Sequence, residues 1–221
     1  MLVSEDIMKQ EDTREKILEK ALELFSVKGY NAVSVGEIAN AVGIKAPSLY
    51  NHYPSKQAIF DAIVSATAAQ YEKDTSKIDI HVQDSSMDIS VFSKITEDDL
   101  IEKVHQIFAY SLHNETISRF RRMMTIEQFH SPKLAELYTK RYVERIAEYH
   151  AGIFKALIAA GEIRGDDPYT LAMMYVAPIL TFIEICDRQP EKEEECIKKL
   201  DAHVRLFFRI TKPTEAKYHG Q

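Results

Sequence analysis

The stretch from Gly29 to Phe60, GYNAVSVGEIANAVGIKAPSLYNHYPSKQAIF, constrains the fold more than any other part of the chain. Ser34 and Glu37 have the spacing of a capping box, in which the serine oxygen accepts a backbone amide and the glutamate reaches back to the cap. A helix is expected to begin there. Val35, Ile38, Ala39 and Val42 repeat at i, i+3, i+4 and i+7, which gives that helix one apolar stripe. Gly43 should end it, because a left-handed C-terminal residue without a Cβ meets no clash. A second helix opens almost at once, since Pro47 fits only a first turn and is followed by Leu49 and Tyr50. Asn51, His52, Tyr53 and Pro54 close it, and Ser55 has the character of an N-cap for a third helix. Two short helices across a tight turn are the unit that lays its second helix in the major groove of DNA.

At these residues the chain resembles the DNA-binding half of the TetR/AcrR family of transcriptional regulators. The resemblance runs from Thr13 to Ile63: a first helix with Ile17, Ala21, Leu24 and Phe25, the Gly29-Tyr30 break, I-A-x-x-x-G-I from Ile38, and L-Y-x-H-Y-x-S-K from Leu49. It implies an all-α fold, with an N-terminal three-helix helix-turn-helix domain over residues 10–56 joined to a helical dimerisation and ligand-binding domain over 57–221. It also implies a homodimer, in the default case a repressor released from a palindromic DNA operator by a small-molecule effector; no cofactor is expected, since no phosphate-cradling glycine loop or paired-cysteine metal motif is present. One departure is visible. K-A-P-S, Lys45 to Ser48, stands where the family more often has a serine cap followed by Lys, Gly and Thr, and Pro47 removes an amide donor there.

Groove geometry assigns roles within the second helix. Lys45, Ala46, Pro47 and Ser48 are expected at base edges, with Asn51 one turn on. Tyr50, His52, Tyr53 and Lys56 carry donors suited to phosphate oxygens, and Ser34 is a further phosphate candidate. Tyr50 and Tyr53 have packing into the core as an alternative. The formal charge of −6 speaks against DNA binding only if the sum is read without its distribution. Between Leu24 and Lys56 the charged residues are Lys28, Glu37, Lys45 and Lys56, a local positive excess. The acids gather at Glu97 to Asp99 and Glu191 to Glu195, where they suit helix starts.

With 221 residues the chain has room for one or two domains with a core. No apolar run follows a basic start, and the longest, Thr170 to Ile185, is short for a membrane span and contains Pro178 and Glu184. No membrane is therefore expected. Cys186 and Cys196 are too few and too loosely placed for a disulfide framework or a zinc site, which points to a reducing cytoplasm, with a cysteine redox sensor as the alternative.

Beyond Ser55 the patterning is helical. Helices are expected from Ser55 into the seventies, then over Glu97–His113, Glu115–Phe129, Ser131–Ala160, Pro168–Asp187 and Glu191–Thr211, with Gln83–Lys94 an irregular connection. The long helix after Ser55 is the expected mechanical lever between the domains. Thr170 to Ile185 is apolar nearly all round, and Ile197, Leu200, Val204 and Phe207 form a seam in the last helix. Paired across a two-fold axis, these helices would make a dimer interface; alternatively they complete a monomer core.

An effector pocket, hydrophobic or amphipathic in preference, is expected among Phe108, Phe120, Met123, Met124, Tyr142, Tyr149, Met173 and Tyr175, with His105 as a polar contact. The same side chains also make ordinary cores. Arg119, Arg121 and Arg122 would attract an acidic effector or lie on a solvated face. The runner-up class is a metal enzyme: Glu102 with His105 and Glu127 with His130 each give Glu-x-x-His, the pair that di-iron bundles repeat, with Glu144, Glu148 and Glu184 as further carboxylates.

Overall fold

The computed structural model describes residues 2–213, with side chains from residue 11 onward. Among these residues the chain is helical, without a strand. It divides into two compact units. One is built from the chain up to Tyr71 together with Asn114–Tyr138, the other from Glu72–His113 together with the chain from Thr139.

In the first unit, α1 (Leu2–Lys28) ends at Gly29, whose φ of +81° lets the chain turn without a Cβ clash. α2 (Val35–Val42) starts at Ser34 with both halves of the expected capping box and stops at Gly43, φ +80°. α3 (Ala46–Tyr50) has Lys45 as N-cap and Pro47 in its first turn. α4 (Lys56–Thr75) begins where Ala58 N donates to Ser55 Oγ at 3.0 Å. Ile17, Ala21, Phe25, Ile38, Leu49 and Ile59 are fully buried. α7 (Glu115–Glu127) packs along α1 and buries Phe120, Met123 and Met124 completely, and α8 (Pro132–Thr139) follows it.

This division corrects the boundary expected after residue 56. Most of α4, and α7 with α8, belong with the helix-turn-helix, because α7 turns its apolar face to α1.

In the second unit, the connection expected over Gln83–Lys94 holds a 3₁₀ turn, Ser85–Met87, and a short helix, α5 (Ile89–Phe92). Asp88 fixes it from within. Fully buried, it accepts from His81 N and His81 Nδ1, each at 2.6 Å, and from the Tyr149 hydroxyl at 2.5 Å. Asp88 holds the His81 imidazole above its ordinary value.

α6 (Glu97–His113) packs on α10 (Pro168–Arg188) and α11 (Glu193–Thr211), and α10 packs on α9 (Arg145–Ala159). The single helix expected over Ser131–Ala160 is instead α8 and α9 joined by a π-helical turn, Lys140–Glu144. Phe108, Ile153, Ala172, Tyr175, Leu200 and Val204 lie in one buried cluster.

Candidate nucleic-acid interface

The candidate reading helix is anchored by what it hides. Leu49 is fully buried beneath α3, and its carbonyl accepts from His52 N at 2.9 Å and Tyr53 N at 3.0 Å, so the chain closes tightly after the helix. Around that anchor Lys45, Pro47, Ser48, Tyr50 and Asn51 are exposed, and Ala46 is half-buried. One short helix thus offers an ammonium, a hydroxyl, a phenol and a carboxamide to solvent.

Not every expected contact lies on this surface. Tyr53 is 5 % exposed and lies under the Arg14 guanidinium, 4.7 Å from its ring centroid, so it is a packing residue. Lys56 is turned inward. Its Nζ donates to Tyr30 O and Val33 O, both at 2.8 Å, and sits 4.3 Å from the Tyr30 ring centroid. An ammonium committed to two carbonyls and a ring ties down a turn, and the phosphate role expected for Lys56 is withdrawn. His52 is half-buried, with Nδ1 enclosed and without a partner among the described residues.

Ser34 is exposed but acts as a cap: its hydroxyl donates to Glu37 Oε2 at 3.0 Å and accepts from Glu37 N at 3.1 Å. Glu37 also takes Lys28 Nζ at 2.8 Å. Hydrogen bonds from Lys28 first, and from the Ser34 backbone and hydroxyl next, pull its carboxyl down to about 2.

Residues 17–63 match the model of bacterial regulatory proteins of the tetR family, and residues 99–210 match the C-terminal domain of AefR-like transcriptional repressors. The chain belongs to the TetR family of transcriptional regulators. As a TetR-family chain it is a DNA-binding regulator and not an enzyme.

The biofilm operon icaADBC negative transcriptional regulator IcaR of Staphylococcus aureus is 43% identical over 51 residues, 23% of this chain and 27% of that one. The match spans about a quarter of that relative, within the length of a DNA-binding domain. A TetR-family regulator from Mesorhizobium loti superposes with a TM-score of 0.68 at 21% identity, covering 92% of this chain and 98% of that one. SmeT, the repressor of the Stenotrophomonas maltophilia multidrug efflux pump SmeDEF, gives 0.62 at 18% identity, covering 94% of both chains. Such distant likeness shows the fold.

Within this TetR-family fold the expected pocket set is split. Phe120, Met123 and Met124 are buried in the first unit, whereas Phe108, Tyr149 and Tyr175 are buried in the second, where Tyr142 and Met173 are half-buried. Tyr149 is committed to Asp88, and Tyr175 packs its ring 4.9 Å from that of Phe207; burial pushes the Tyr175 phenol up. His105, expected as a polar ligand contact, instead meets Asp201 of α11 at 2.5 Å. No local sequence signal marks His150. Its ring lies 4.9 Å from Tyr149 and 5.1 Å from Tyr175, its Nδ1–H donates to Ile146 O at 2.8 Å, and burial lowers it to about 4. An open groove of about 320 Å³ between Asp79 and Gln106 is polar, lined by Lys94, Asp99, Glu102 and Lys103, and unlike the apolar pocket expected.

The dimer seam is corrected too. Leu200 and Val204 are fully buried and Phe207 nearly so within the single chain, with Ile197 half-buried against the same cluster. The large apolar residues left exposed on α10 and α11 are Tyr169, Met174, Leu206 and Ile210.

The metal alternative loses its geometry as well as its class. Glu102 hydrogen-bonds Gln106, His105 holds Asp201, Glu127 is buried at Tyr30, and His130 is exposed on its own helix end. No group of metal-binding side chains gathers among the described residues. Arg121 is 5 % exposed and Arg119 pairs with Glu115 at 3.0 Å, which leaves Arg122 alone of the three on a solvated face. Cys186 and Cys196 are both buried, and burial followed by the neighbouring Cys196 pushes the Cys186 thiol up to about 12, so it is poor in thiolate.

Proposed function

We propose that this chain is a cytoplasmic homodimeric repressor that reads a two-fold symmetric operator through α3 and leaves it when a small molecule binds. The observation that carries the reading is the exposed row Lys45, Pro47, Ser48, Tyr50 and Asn51 on a helix pinned by buried Leu49. Lys45 and Asn51 are the base readers, because an ammonium and a carboxamide match purine edges, and Tyr50 is the phosphate donor. Repression is supported by the AefR-like repressor match over residues 99–210 and by IcaR, a negative regulator.

The two-fold partner docks on α10 and α11, where Met174, Leu206 and Ile210 leave an apolar face in solvent. A hydrophobic or amphipathic effector is supported by the family and by two structural relatives, one named as a flavonoid-responsive regulator and one as the repressor of a multidrug efflux pump. The effector acts by preferring the state in which the recognition helices are misplaced, and shifts binding by no more than its differential affinity for the two states.

Selection of duplexes from fragmented genomic DNA at low salt tests the reading. The expected product is a near-palindromic site whose affinity falls steeply with salt. Lys45→Ala should change the selected bases, while Tyr50→Phe lowers affinity across sequences. Lys56→Ala should leave the salt slope unchanged, because its charge faces carbonyls of its own chain. Failure to enrich any duplex would overturn the assignment.

A further inference from the structure

Glu127 carries a carboxylate to which DNA reading gives no role. It ends α7 at 2 % exposure, and its Oε1 accepts from Tyr30 N at 2.7 Å, 97 residues away in the chain. A carboxylate is removed from water at a loss unless donors satisfy it, so its position at one backbone amide calls for a reason. The amide belongs to the turn between α1 and α2. Gly29 holds a φ of +81° there, and a Cβ on it would stand 2.7 Å from Glu127 Oε1 and 3.3 Å from Ile126 Cγ2. The glycine both turns the chain and clears space for the carboxylate. From the other side Lys56 takes Tyr30 O, so an anion holds the N–H and a cation the C=O of one residue. The Tyr30 ring is held too, 5.3 Å from Phe25 and 5.2 Å from Phe60. This turn runs through buried Val33 into the Ser34 cap of α2, on which α3 packs.

We propose that Glu127 is a positioning residue for DNA recognition: its buried carboxylate fixes the Gly29-Tyr30 turn, and with it α2 and α3, against α7. The inference rests on α3 being the reader. A shift of α7 would carry the turn with it through a directional bond, which sliding apolar contacts do not supply.

The test combines amide hydrogen exchange at Tyr30 in the full chain with affinity for the duplex enriched by wild type and for an unrelated duplex. Glu127→Ala should speed Tyr30 exchange relative to mid-α1 amides and weaken the selected duplex about tenfold, the equivalent of one hydrogen bond. The unrelated duplex should change by less than about threefold, because phosphate contacts are untouched. Glu127→Gln, which keeps an acceptor oxygen, should stay near wild type in both readouts. Glu127→Asp, one methylene short of Tyr30, should behave like the alanine variant and decides the matter if that variant does not fold. Wild-type exchange at Tyr30, or wild-type selectivity in the shortened variants, overturns the proposal. A wild-type chain that enriches no duplex defeats the DNA reading and this inference together, whereas variants with wild-type selectivity defeat only the inference.

Discussion

Leu206→Glu and Val204→Glu should separate a subunit interface from a monomer core, although the two residues are two positions apart on α11. Leu206 is 46 % exposed in the single chain and Val204 is 0 % exposed. A carboxylate at 206 therefore stays in water in the monomer and costs about 0.5 kcal/mol or less. At 204 it is buried without a partner, which costs at least about 3 kcal/mol. In the dimer the terms change. Covering the remaining half of Leu206 contributes about 1 kcal/mol per subunit, so losing it in both copies removes about 2 kcal/mol. Desolvating two carboxylates adds at least as much again, for a total near 4 kcal/mol, or about a thousandfold in the dimer dissociation constant. Sedimentation velocity over a concentration series, with thermal melts on the same samples, reads both quantities. Leu206→Glu should give a folded monomer, and Val204→Glu a chain with a sharply lowered melting temperature. An undisturbed Leu206→Glu dimer would place the interface elsewhere, and a wild-type melt for Val204→Glu would refute the core assignment.

Two further predictions concern pH. Hydrogen bonds from Lys28 first and Ser34 next hold the Glu37 carboxyl down to about 2 in the folded chain against an ordinary 4.5, so its contribution is present above 4.5 and lost as pH falls toward 2. The melting-temperature gap between wild type and Glu37→Gln should close over that window, and a constant gap would rule out the Lys28 and Ser34 contacts as its origin. His150 is lowered by burial to about 4 from 6.5, so neutral folded His150 stabilises above 6.5 and that contribution is lost between 6.5 and about 4. His150→Phe should flatten the fall in unfolding free energy across this interval, measured by urea titration; an unchanged slope would mean that His150 is solvated.

The helix-turn-helix was legible because its signals are local. Ser34 caps a helix three residues from the glutamate that reaches back to it, and Gly43 and Pro47 act through their own backbone angles. The later helices were legible for the same reason, as Glu97–His113 and Pro168–Arg188 show, and the π turn at Lys140–Glu144 was not, since it leaves the apolar period nearly intact. Exposure of the proposed contact residues followed the reach of the signals behind them. Lys45 and Asn51 are exposed as the short helix required, but nothing near Lys56 in sequence indicated that its ammonium would fold back onto Tyr30 and Val33.

The amino-acid sequence alone determined the all-helical class, the caps of α2 and the turn into α3, and the family, because caps, turns and 3.6-residue periodicity act within a few residues of one another. Tertiary structure decided which apolar face meets which neighbour and which charge is buried. The stripe of Leu200, Val204 and Phe207 is equally suited to a partner subunit or to the chain's own α6 and α10, and only packing turned it inward and left Leu206 and Ile210 outside. Glu127 reads as half of a metal-binding pair until α7 is laid along α1, which brings its carboxylate to an amide 97 residues away. Periodicity tells a helix that it has a face to bury, but the partner for that face is chosen by contacts no local pattern encodes.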